Sequence, residues 1–165
     1  MEESTLSIII SVLALLISLF VLFGSKEKLP KNSEANFSTQ PLKLQAYERL
    51  VIFCERISLP NIISRTNQPG LSVRDMQVML IENIKQEFEY NASQQIYVSQ
   101  TAWEAVRNLR DQSLLIINSI AKTLDLEASA IELNKGLLEL IMNQDNAALH
   151  TLTLTTLNDE AKKIM

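Results

Sequence analysis

The sequence predicts an all-α protein: one N-terminal transmembrane helix over 4–23, a flexible linker over 24–40, and a compact bundle of about five helices over 41–165. Three observations carry that prediction. Ser4 to Phe23, STLSIIISVLALLISLFVLF, holds no charge. From Pro41 onward apolar residues recur three and four apart, the period of a helix face. Ser72 with Asp75, and Thr101 with Glu104, have the spacing of a helix capping box.

The first element follows from its length. About twenty helical residues cover roughly 30 Å, the hydrocarbon thickness of a bilayer. Only a helix satisfies its own backbone there. A cleaved signal peptide fits less well, because the start is acidic (Glu2, Glu3) and Phe23-Gly24-Ser25 lacks a small-x-small cut site. Lys26, Lys28 and Lys31 follow the helix, so the basic-flank rule puts the N-terminus outside and the C-terminal domain in the cytoplasm. The expected location is the cell inner membrane, single-pass. Ser7, Ser11, Ala14 and Ser18 form a seam of small residues through which two helix backbones can approach. A second copy of the chain, or another membrane protein, is the partner such a seam expects. Residues 24–40 are polar, contain Pro30 and lack apolar periodicity, which suits a tether with a reach on the order of 20–25 Å.

In the bundle, Pro41 suits a first helical turn, and Leu44, Tyr47, Leu50, Val51, Cys54 and Ile57 make one stripe, giving a helix over 41–58. Pro60 and Gln68-Pro69-Gly70 bracket a short irregular stretch, the latter with the residues of a type II turn. Ser72 caps a second helix whose stripe is Val73, Met76, Leu80, Ile84 and Phe88. A third runs over 101–124, lined by Ala102, Val106, Leu109, Ile116, Ile117, Ile120 and Leu124; Leu114 to Ile117 is apolar all round and is expected to be its most buried part. Asp125 can cap a fourth helix, to Met142, with Ile131, Leu138 and Ile141 inward and Gly136 closely packed. Asp145 can start a fifth, although Leu149 to Leu157 alternates Leu and β-branched Thr in the manner of a strand; with no second strand to pair with, helix is preferred.

Composition narrows the chemistry. The 165 residues carry a net charge of −4, which argues against nucleic acid as a partner. Three glycines leave no phosphate loop, and one histidine, His150, and one cysteine, Cys54, leave no paired-ligand metal site. No cofactor and no catalytic residue is therefore expected. Cys54 lies on the apolar stripe of its helix and reads as a small hydrophobe. Glu82, Glu87 and Glu89 cluster on the second helix but away from its apolar stripe, so a solvated face accounts for them better than an acid–base site.

Two surfaces remain as binding candidates. Residues 25–74 hold eight Lys and Arg against four acids, whereas 75–165 hold seven against thirteen. Lys26, Lys28, Lys31, Arg49, Arg56, Arg65 and Arg74 could thus face anionic membrane lipids, with the acidic half turned away. Tyr90, Tyr97 and Trp103 are the docking aromatics, since Trp and Tyr add contact area at low entropic cost.

LQAYERLVIFCERISLPNIISRTNQPG (44–70) and IKQEFEYNASQQIYVSQTAWEAV (84–106) resemble an uncharacterised bacterial family of small membrane-anchored proteins with a cytoplasmic-facing helical domain. The resemblance implies the same architecture and no activity. It draws attention to Tyr47, Glu48, Arg49, Glu87, Glu89 and Trp103, and it has Cys54 at an otherwise aliphatic position. The expected function is a non-enzymatic scaffold or adaptor working through protein–protein contacts at the cytoplasmic membrane face. An anionic-lipid sensor and a carboxylate-based enzyme are the alternatives.

Overall fold

A computed structural model describes residues 12, 14–19, 39–143 and 146–165, in two units, Met1–Ser38 and Thr39–Met165. In the first unit, residues 12 and 14–19 are helical and exposed, Ala14 and Ser18 among them. Among the described residues no helix is long and apolar enough to cross a membrane. This corrects the transmembrane helix expected over 4–23. A span needs about twenty consecutive apolar helical residues, and among the described residues no helix supplies them. The single-pass, inner-membrane location with a cytoplasmic domain rested on that helix and is withdrawn with it. Ser7, Ser11, Lys26, Lys28, Lys31 and the linker up to Ser38 lie outside the described residues.

The second unit is all-helical. α1 (Gln40–Ile57) carries Pro41 in its first turn, where a missing N–H costs nothing, and buries Ala46, Tyr47, Leu50, Phe53, Cys54 and Ile57. Ser58 turns to an extended conformation and ends it. The stretch expected to be irregular is instead α2 (Leu59–Thr66): Pro60 sits in its first turn, starting the helix rather than breaking it, and Leu59, Ile62, Ile63 and Thr66 face inward. Gly70 follows with φ +83°, the left-handed backbone that the third position of a type II turn requires.

α3 (Val73–Asn91) begins with the full capping box: Ser72 Oγ accepts from the Asp75 N–H at 3.1 Å, and Asp75 Oδ2 accepts from the Ser72 N–H at 3.1 Å. The first two N–H groups of α3, which have no intrahelical partner, donate to the 122–129 loop, Val73 to Ala128 O (2.9 Å) and Arg74 to Leu126 O (3.1 Å). Ala130 N–H returns a bond to Leu71 O (2.9 Å), so the starts of α3 and α5 are clipped together. A short 3₁₀ turn (Ala92–Ile96) leads to α4 (Gln100–Ala121). Its cap is Ser99, whose hydroxyl accepts from the Ala102 N–H at 3.0 Å, so the Thr101/Glu104 pair is not used.

The buried stripe of α4 includes Ala102, Val106, Leu109, Ile116 and Ile117, as expected, but Leu115 is 59 % exposed. α5 (Ala130–Asn143) starts five residues after Asp125, whose carboxylate accepts from the Glu127 N–H within the loop (3.0 Å). Ala130, Leu133 and Leu137 face inward and Ile131 and Leu138 lie outside, contrary to the expected seam, because apolar residues on both faces let packing choose between them. Gly136 does pack closely: a Cβ there would lie 2.9 Å from Ile120 Cγ2. α6 (Asn146–Ile164) is a helix throughout. Its threonines fit because Thr153, Thr155 and Thr156 donate to the carbonyls of Leu149, Thr151 and Leu152 one turn back, at 2.8–2.9 Å.

α6 lies along α1 and α4, while α3 lies against α1, α4 and α5. Between them Leu50, Phe53, Ile57, Ile62, Met76, Leu80, Ile84, Ile117, Leu133, Leu137 and Leu157 are fully buried. At about 1.5–3 kcal/mol for each large apolar side chain, this core orders the unit and fixes the surfaces it presents.

Candidate functional site

Between the exposed shoulders of α1 and α3 lies a cleft of about 690 Å³. Phe53 forms its floor, and Arg49, Ile52 and Arg56 from α1 face Asn83, Gln86, Glu87, Tyr90 and Asn91 from α3. These two sets lie on the polar shoulders of helices whose apolar faces are turned inward, which is why side chains of this type meet here.

The rim is both basic and aromatic. The Arg49 guanidinium lies 5.0 Å from the centre of the Tyr90 ring, within cation–π range, and Tyr90 is 74 % exposed. Ile52 is half exposed beside it. At the other end Arg56 Nε donates to Glu87 Oε1 at 2.6 Å, and its Nη2 also contacts that oxygen. Arg65, from α2, lies 3.8 Å from the same oxygen and donates through Nη2 to the Arg56 backbone carbonyl at 2.7 Å. That carbonyl belongs to the last turn of α1, which lacks helical partners. Asn61 Nδ2 and Ser58 Oγ satisfy Glu55 O nearby, at 2.9 and 2.8 Å. One half-buried carboxylate therefore gathers two arginines from two helices and fixes the end of α1.

Beneath the rim, Phe88 stacks on Trp103 at 5.3 Å and 27°, and meets Phe53 edge-on at 6.0 Å. Arg110 lies over the Phe88 ring at 4.0 Å. Trp103 is thus part of the packing under the cleft, Tyr97 is half-buried outside it, and only Tyr90 of the three singled-out aromatics lines it. Of the singled-out arginines, Arg49 and Arg56 line the cleft and Arg65 braces it. Arg74 lies elsewhere, 3.7 Å from Glu127. Arg56 and Arg65, from the basic stretch of the sequence, meet Glu87 from the acidic one.

Sequence spacing gave no signal for the Arg56–Glu87 pair, whose members are 31 residues apart. Ile52 did leave one, as an apolar residue between the buried positions of its helix. Glu82 pairs with Lys85 at 3.3 Å on the solvent side, and Glu89 is exposed, so the three glutamates do not converge. Cys54 is fully buried; burial, with a smaller contribution from the Glu55 charge, pushes its thiol up to about 12. Among the described residues no group of three or more His, Cys, Asp and Glu is placed to hold a metal ion. The arrangement at the cleft can hold a carboxylate against guanidinium N–H groups and an apolar side chain against Tyr90 and Ile52.

Residues 4–164 match a family described as a family of unknown function (DUF7935). An uncharacterised family is what the resemblance implied; the match carries neither the membrane anchor nor the bacterial source added to it. No curated protein and no solved structure matches the chain.

Proposed function

We propose that this chain, which belongs to the family of unknown function DUF7935, is a non-enzymatic adaptor whose α1–α3 cleft takes an acidic segment of a partner protein. The observation that supports this reading is the pairing of Arg49 with the exposed Tyr90 ring beside Ile52, next to an Arg56 that Glu87 only partly engages. Tyr and Arg are the side chains that most often dominate binding energy at protein interfaces. A guanidinium offers five donors in a planar fork that matches a carboxylate. Arg56 uses Nε and Nη2 on Glu87, which leaves its other Nη for an incoming acceptor. A segment carrying Asp or Glu next to an apolar side chain satisfies both features at once.

The test is a selection of random displayed peptides on the full chain. The expected winners carry an acid beside an apolar residue, and Arg49→Glu weakens them by tenfold or more. Arg49 is the informative position because its change leaves the Arg56–Glu87–Arg65 brace intact. Winners without acids, winners indifferent to Arg49→Glu, or anionic vesicles that bind the chain as tightly as any peptide would contradict the proposal.

A further inference from the structure

A second hollow, of about 350 Å³, lies on the α2 side of α1, between Val51, Ile52 and Arg56 of α1 and Asn61, Ser64 and Arg65 of α2. Ile52 and Arg56 also line the α1–α3 cleft, so the two hollows share a wall. These residues are four apart, one above the other on a helix, and form a crest along α1. Helical spacing puts Arg49 and Phe53 on one side of that crest and Val51 and Glu55 on the other.

Most polar groups of the second hollow are already engaged. Asn61 Nδ2 donates to Glu55 O, Arg65 Nη2 donates to Arg56 O, and Arg56 turns Nε and Nη2 to Glu87. Glu55 and Ser64 are exposed, and their polar ends meet water. What the hollow offers an incoming chain is Val51, Ile52 and the aliphatic stems of its two arginines.

We infer that the partner segment straddles this crest, presenting three side chains on one face in the order apolar, acid, apolar. The inference rests on the docking reading above and extends it to a second anchor. The first apolar side chain lies on Tyr90 and Ile52, the acid meets the arginines, and the second apolar side chain fills the α1–α2 hollow. Arg49, Arg56 and Arg65 stand along this path, and Glu87, the carboxylate between them, is shared by two of them, so an incoming acid is the complement. A helix is about 10–12 Å wide with its side chains. Anchors on the two flanks of α1 are therefore about seven residues apart in a helical partner, or about four in an extended one.

Random displayed peptides of about fifteen residues, long enough to cross the crest in either form, are selected on the full chain, and the winners are titrated onto its variants. Replacing either apolar anchor by Ala should weaken binding to wild type by about tenfold. The first anchor's effect should disappear in Tyr90→Ala and the second's in Ser64→Trp, where the indole occupies the hollow. Ser64 is exposed on α2, so the change spares the core, and Arg49 stays in place to read the acid. Winners whose acid preference is erased by Arg49→Glu, but in which no Ala effect depends on Ser64→Trp, would overturn this inference and leave the cleft reading standing. Winners without an acid would overturn both.

Discussion

The Tyr47 hydroxyl donates to the Glu160 carboxylate across 2.7 Å, joining the first helix of the bundle to the last. The same oxygen accepts from the Ser99 N–H at 3.2 Å, at the cap of α4. One side chain, 3 % exposed, thus ties three helices whose contact residues are 52 and 113 positions apart in sequence. Tyr47→Phe removes both bonds and leaves the Ser99 N–H unpaired, so stability should fall by about 1–2 kcal/mol in denaturant unfolding. Burial first, and the Glu160 hydrogen bond second, raise the phenol above its ordinary 10.0. A raised folded value means that the Tyr47 contribution is complete below pH 10.0 and is lost as pH rises through the folded value. The gap between wild type and Tyr47→Phe should therefore shrink on the alkaline side, and a constant gap would count against it.

The α3 cap makes the opposite prediction at the acid end. The Ser72 hydroxyl, and then the Ser72 N–H, hold the Asp75 carboxyl below its ordinary 3.8. The contribution is present above pH 3.8 and is lost as pH falls through the lowered folded value. Ser72→Ala should lower the melting temperature by a few degrees at neutral pH, on the order of 3–6 °C. It should also soften the loss of stability below pH 3.8 relative to wild type. Thermal melts across the acid range measure both.

Cys54 should be silent in the folded protein. The thiolate is the reactive form of cysteine, and a fully buried thiol pushed up to about 12 supplies almost none at pH 8. A disulfide reagent added at that pH should label the chain only in denaturant, or at a rate set by unfolding. Prompt labelling of the native protein would show that the α1 seam opens.

Gly136 sets two ordinary rules against each other. Gly→Ala inside a helix is worth about 0.5–1 kcal/mol in propensity. Here the added Cβ meets Ile120 Cγ2 at 2.9 Å, and a β-branched side chain has little freedom to move aside. Overpacking of this kind costs about 1–3 kcal/mol. Gly136→Ala should therefore destabilise by roughly 1 kcal/mol. Combined with Ile120→Ala it should cost less than the two changes summed, which a double-mutant cycle measures.

Where one stripe was apolar and the other polar, the sequence was readable. α1 and α3 have such stripes, and their core faces follow from spacing alone. α5 does not: Ile131, Leu133, Leu137, Leu138 and Ile141 place apolar groups around much of the helix, so spacing alone picks neither its inward face nor its start. That start is fixed by Ala130 bonding back to Leu71, a contact across 59 residues that local spacing does not encode. α2 was hidden by Pro60, which punctuates a chain equally well by ending a helix or by beginning one. At the cleft, Arg49 and Arg56 stood out by type, but their role rests on Tyr90 and Glu87 from another helix.

The proposed docking of acidic segments in the cleft is tested most directly by a charge swap. A peptide that carries an acid beside an apolar residue, and its copy with that acid replaced by Lys, are each titrated onto the full chain and onto Arg49→Glu. Wild type should prefer the acidic peptide by at least tenfold, about 1.4 kcal/mol, and Arg49→Glu should reverse or erase that preference. Equal affinities on wild type, or a preference unmoved by Arg49→Glu, would contradict a docking role for this cleft.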